Sequence, residues 1–371
     1  MKETTYNFST RTAHDVRLVF AIVLRSKKAP MTTREWKKRM KTLEEDYTPF
    51  RNLELFERLV TEEAVIRTWD QFQRWCAPFK RSACFRGQAD GGWPLNSTFF
   101  RKVHQRWAFK ETVTVDYLNP EENERKVLRD FQRAAHNHYA VTPALNQIVD
   151  WMALMQHHGA PTRMLDWTRS PYVALYFAMR EGSAHKAALW MTDLTWLRQR
   201  SWHKLRELDK ECPEESDLDA FSDYINRILL RHDNPPLIVH SCPVRLNERM
   251  QVQQGELLCN LVHSPPFSDT LLGMLLKTPS KGQRQVVGKV FVSRDRRIEF
   301  LAELERMNIH EASLFPGLDG FARLLGVNLD IAVAHQIEER NQDFLKYRRA
   351  KRRRKSRMTK RVKPSSASQP S

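Results

Sequence analysis

The chain has 371 residues, and its 61 Lys and Arg against 44 Asp and Glu give a formal charge of +17. Hydrophobic residues make up 41% and aromatics 10%, enough for a large core, which excludes a mostly disordered chain. Residues 346–371 hold twelve Lys or Arg and no acid, so removing those twelve from +17 leaves +5 on residues 1–345, an ordinary soluble surface.

No apolar run approaches the ~20 residues of a membrane span, and no signal peptide is legible. Cys76, Cys84, Cys212, Cys242 and Cys259 are scattered without a C-x-x-C. That usage predicts a reducing, cytoplasmic setting, no zinc ribbon and no metal. The length before the tail exceeds the usual limit for one core, so two units or a core with an annex are expected.

Residues 1–68 read as a helical annex, with helices at 32–43 and 50–62. Residues 69–326 read as the main domain, beginning with a helix at 69–79. The run through Phe85, Arg86, Gly87 and Gln88 predicts a strand ending at Gly. Pro120, with Glu121 and Glu122 behind it, opens a helix by suiting the backbone dipole. Leu145, Ile148, Met152 and Met155 form one buried stripe of the next helix, closed by Gly159.

Ser170 and Pro171 read as N-cap and first helical residue of a helix apolar on every face, hence buried. Strands are expected at 187–192, 237–240, 250–253, 257–262 and 286–293, and a helix capped by Asp295 follows. A short helix at 318–325 and a last helix at 327–345 precede a disordered basic tail at 346–371. Strands and helices without βαβ regularity argue for an α+β fold.

Standard motifs mostly fail. Gly282 through Val290 resembles a P-loop, but five residues separate the glycines and Val290 replaces the Mg²⁺-binding hydroxyl. His136, His138, His157 and His158 sit near helix ends, where a cation suits the dipole better than a metal explains them. Two stretches stand apart. Arg86 at a strand end before Gly87 suits a phosphate grip, with a buried structural ion pair as the competing explanation. From Thr162 to Ser170 the chain packs Arg163, Asp166, Trp167 and Thr168 between two core helices. Such groups must pair with each other, as Arg163 with Asp166, or with a ligand.

These stretches resemble the FRG domain family. Its usual string is close to QH-x-G-x-PTRLLDWT-x-SP-x-x-ALYFA, and here Met164 replaces the first Leu. Asn247 through Gly255 and Ala312 through Gly320 fit the same family, so the resemblance covers roughly 69–325. A weaker resemblance, to mono-ADP-ribosyltransferases of the Arg-Ser-Glu type, implies an ADP-ribosyltransferase-like mixed sheet with helices and a mechanism.

It implies NAD⁺ as substrate, for ADP-ribosyl transfer or NAD⁺ cleavage, as in a prokaryotic toxin or phage-defence effector. Arg86, Gly87 and Gln88 would meet the phosphates or ribose, and Thr162, Arg163 and Asp166 would complete the binding site. Trp167 would stack on nicotinamide, and Thr168 would position the ribose. Glu256 would bond the ribose 2′-OH and offset developing positive charge, with Asp166 as the alternative acid. The Ser-Thr-Ser string of that type is absent. The rival reading is a non-catalytic nucleotide-binding module.

Arg348, Arg349, Lys351, Arg352, Arg353, Arg354, Lys355 and Arg357 form the low-complexity core of the tail. Such a block attracts phosphates by counterion release, so DNA or RNA is the expected partner.

Overall fold

A computed structural model describes residues 53–104, 120–180, 182, 184–244, 247–278 and 286–361. The helix expected at 32–43 lies outside them. Seven strands form one sheet in the order β1-β7-β4-β2-β3-β6-β5. The fold is mixed, as the composition of elements implied. Only the β1–β7 pair is parallel among the described residues.

Helix α1 (Leu53–Val60) leads straight into β1 (Thr61–Ile66). The reading of 50–62 as one annex helix therefore gives way at Thr61, where the open edge beside β7 (Val287–Ser293) recruits the chain as a strand. Thr68 then caps α2 (Trp69–Cys76) with a reciprocal box, its hydroxyl taking the Gln71 amide while Gln71 reaches back. Next come β2 (Ala83–Gln88), α3 (Thr98–His104) and α4 (Pro120–Ala135), the last with the Pro start expected of it.

Helix α5 (Ile148–His157) starts three residues later than the stripe implied, leaving Leu145 exposed. It ends as expected, on Gly159 at φ 77°, a conformation that costs glycine little. Strand β3 (Met164–Thr168) follows, then α6 (Pro171–Arg180) with Ser170 Oγ accepting the Val173 amide at 3.3 Å. Six of the ten α6 residues are buried, as an all-apolar helix demands.

β4 (Lys186–Asp193), α7 (Leu194–Leu208), α8 (Leu218–Ile228) and β5 (Ile238–Ser241) come next. The strand expected at 250–253 is instead helix α9 (Glu248–Val252), because the Asn247 side chain caps the Met250 amide. β6 (Gly255–Asn260), α10 (Phe267–Leu276), α11 (Arg297–Arg306) and α12 (Glu311–Leu314) complete the body. Asp295 accepts from Ser293 Oγ and does not cap α11. The two helices expected after 318 are one, α13 (Leu318–Arg361), so the basic segment through Arg361 is helical where the sequence implied disorder. No helix of the described residues is long and apolar enough to cross a membrane.

Alternation along the strands separates two cores. Cys84, Ala188 and Trp190 face one, packed with α1, α5, α7 and α10. Ala83, Phe85, Leu189 and Met191 face the other, under α2, α6 and α11. Lys289, in the P-loop-like stretch, is 1% exposed, and its Nζ pairs with Glu57 Oε2 at 2.5 Å and lies over Trp190. That placement makes it a strand core residue, the opposite of a phosphate lysine in an open loop.

Candidate functional site

The sheet is weakest at its centre. β2 and β3 share one register pair, Phe85 with Thr168. β2 pairs with β4 along its whole length from Ala83 to Gln88, and β3 pairs with β6 from Met164 to Thr168. Beyond Phe85 and Thr168 the ladder stops, and the Arg86 side chain bridges instead: its Nη1 donates to the Asp166 carbonyl at 2.6 Å. Its Nε is buried without a partner. Burial lowers the guanidinium from its ordinary value; Asp166 opposes this and Arg101 adds to it. A guanidinium keeps its charge regardless, so the strand gap holds an incompletely neutralised cation.

Asp166 is the one exposed position of an otherwise buried β3. Its Oδ1 accepts from Gln156 Nε2 at 2.6 Å, and Gln156 Oε1 accepts from the Thr162 hydroxyl. Arg249 on α9 is the neighbour that sequence reasoning left without a role. Burial lowers it, Asp166 opposes, and Arg180 and Arg323 lower it further. The guanidinium carbons of Arg249, Arg180 and Arg323 lie 4.6, 4.8 and 5.2 Å from the Phe315 ring centroid. Glu311 neutralises Arg180. His157 faces the same charge: burial, then His158 and Arg249, push its imidazole down. Asp166 thus acts on both Arg86 and Arg249.

The backbone locks this cluster together. Thr168 Oγ1 donates to the Gln253 carbonyl at 2.6 Å, and the Arg169 amide to the Gln254 carbonyl at 3.0 Å. Gln253 Nε2 donates to the Leu314 carbonyl at 2.9 Å. The four motif strings, far apart in sequence, therefore meet at one end of β3.

Several residues read as ligand contacts have other duties. Arg163 does not pair with Asp166. It is 4% exposed, with Nε donating to Glu124 Oε1 at 2.8 Å and Nη1 to the Leu261 carbonyl at 2.9 Å. Burial opposes the Glu124 carboxylate, but Arg163 dominates and holds it down to about 2. Trp167 is 2% exposed within the core, so no nicotinamide reaches it. Thr162 and Thr168 are buried and occupied by the bonds above. Gln88 accepts from Trp190 Nε1 at 2.6 Å and donates to the Pro94 carbonyl. Gly87 is required by packing, not ligand approach: a Cβ there would lie 1.9 Å from the Ala174 carbonyl oxygen on α6.

Glu256 belongs to a separate cluster. It accepts from Arg169, and its Oε2 lies 2.6 Å from His240 Nε2. The charges acting on it are His240 and Arg169, whereas those acting on Arg86 are Asp166 and Arg101. Burial alone would push His240 down, but its bonds to Cys242 and Glu256 win and raise it to about 9. The pair has a pH signature. An unfolded His titrates near 6.5, so the folded state binds this proton more tightly. The stabilisation is complete below pH ~6.5 and is lost as pH rises through the folded value. Urea unfolding should show a loss on the order of 3 kcal/mol across that window. His240→Asn should flatten it; an unchanged slope in the variant would contradict the pairing.

Residues 81–187 match the family model of the FRG domain, so the chain carries an FRG domain from the start of β2 into β4. No curated protein and no solved structure matched the chain. Arg86, Gln156 and Asp166 lie inside the matched residues, while Arg249 and Phe315 lie beyond them and join through the contacts above. The tail residues from Arg348 to Lys351 are exposed on α13, and nothing among the described residues ties them to this site.

Proposed function

We propose that Arg86, at the seam between β2 and β3, binds the diphosphate of a nucleotide, NAD⁺ foremost, and that Asp166 supports cleavage of its nicotinamide–ribose bond. The observation that carries this reading is Arg86, a charged fork with a buried, unpartnered Nε beside an exposed carboxylate. A planar guanidinium with spare donors fits phosphate oxygens, and Arg249 adds a second, half-buried fork. Breaking the C–N bond leaves positive charge on the ribose as nicotinamide departs with the bonding pair. A fixed carboxylate facing that charge lowers the barrier, an effect often worth about 10²–10³ in rate. Asp166 meets this need better than Glu256, which two cations already hold.

The separation of Glu256 from Arg86 also favours a second reading, a module that binds the nucleotide without turning it over. Purified protein incubated with labelled NAD⁺ distinguishes the two. Nicotinamide release or label transfer that disappears in Asp166→Asn and survives in Glu256→Gln supports the enzyme. Tight NAD⁺ binding with no release in any variant supports the module.

A further inference from the structure

At the far side of β6 lies a second cluster that the nucleotide site does not use. Cys242 is exposed, just past the end of β5. Its Sγ lies 3.6 Å from both Nδ1 and Nε2 of His240. His240 Nε2 lies 2.6 Å from Glu256 Oε2, and Arg169 closes the network on the other Glu256 oxygen. The imidazole and the carboxylate are only 7% and 12% exposed. We propose that Cys242 is a reactive thiol built to add soft electrophiles, α,β-unsaturated carbonyl compounds in particular.

The geometry separates it from the other four cysteines. Cys84, Cys212 and Cys259 are buried, and burial pushes their thiols up, to about 11 for Cys212 and about 12 for Cys259. Burial likewise pushes half-buried Cys76 to about 12. Cys242 alone among the five combines exposure with an adjacent imidazole. Contacts with Cys242 and then Glu256 raise that imidazole to about 9, so a cation faces the sulfur at neutral pH. Arg169 adds positive charge within reach of the same sulfur. An accessible sulfur beside a protonated imidazole and a guanidinium is the setting in which cysteines act as nucleophiles.

The sulfur is equidistant from the two ring nitrogens, so neither is placed for an in-line proton relay. In the reaction the thiol proton is released to solvent and the sulfur lone pair bonds to the β-carbon. The π pair moves to the carbonyl as an enolate, which takes a proton from the His240 imidazolium. Solvent reprotonates the imidazole, and the adduct is a neutral thioether with every atom retained.

N-ethylmaleimide, itself an α,β-unsaturated carbonyl compound, is the probe. The folded full-length chain is treated briefly at neutral pH and the labelled cysteine located by peptide mass spectrometry. Cys242 should label about tenfold faster than the same cysteine in the urea-unfolded chain, and ahead of the other four. His240→Gln should remove most of that advantage. Folded labelling no faster than unfolded labelling overturns the proposal without any variant, and an undiminished rate in folded His240→Gln overturns the role of the imidazole.

Discussion

Arg163→Ala should destabilise the domain by about 3–5 kcal/mol, because it strips the partner from a buried carboxylate. Glu124 is 2% exposed and held by two Arg163 nitrogens, with His263 Nε2 at 3.2 Å as its remaining neighbour. The imidazole cannot replace a bidentate fork, so Glu124 must either stay charged without adequate compensation or take up a proton. The Leu261 carbonyl loses its shorter donor as well and keeps only Asn234 Nδ2 at 3.5 Å. Urea unfolding measures the loss. Replacing both partners, Arg163→Met with Glu124→Leu, should recover much of it, since two apolar groups leave no orphaned charge. A single-variant loss below about 1 kcal/mol would show that the pair does not hold α4 to β3.

Gly87→Ala is expected to cost about 3 kcal/mol or more, at the upper end for overpacking. The added carbon meets backbone on three sides of one turn: Ala174 O at 1.9 Å, Ala178 N at 2.7 Å and Ala174 C at 2.9 Å. No side-chain rotation relieves a clash with helix backbone, so α6 must lift from β2. Arg86 sits next to that contact, so the bridge to Asp166 should loosen with it. Chemical denaturation of Gly87→Ala checks the stability loss, and a near-wild-type midpoint would mean that α6 does not pack on β2 as described.

These two residues also show what the sequence can and cannot disclose. The buried helix α6 was legible because it is apolar on every face and announced by Ser170 and Pro171. The end of α5 was legible because Gly159 takes a conformation other residues avoid. Strands β4, β5, β6 and β7 were legible from short apolar runs between turn residues. The chemistry of the motif was less so. Density of polar residues between core helices correctly marked 162–170 as unusual, yet Arg163, Trp167 and Thr168 prove to be pinned inside the core. Only Asp166 of that strand reaches solvent.

Pairing over long separations explains the misses. Arg163 meets Glu124, 39 residues away, and that distance in sequence carries no periodic signal. Arg249 escaped because the residues that follow it, 250–253, were read as a strand, which hid a capped helix turn that carries the guanidinium to Phe315. The Asn247 cap three residues before Met250 was the available signal. Thr61–Ile66 escaped because an edge strand is recruited by its neighbour and not by its own pattern.

The central claim is that Arg86 is held in the strand gap to grip a nucleotide diphosphate. Calorimetric titration of NAD⁺ into the folded protein, beside a folded Arg86→Ala variant, tests it most directly. A charge-assisted bidentate contact predicts that the variant binds at least about tenfold more weakly. Equal affinity in the two proteins, or no NAD⁺ binding by the wild-type chain, would contradict it.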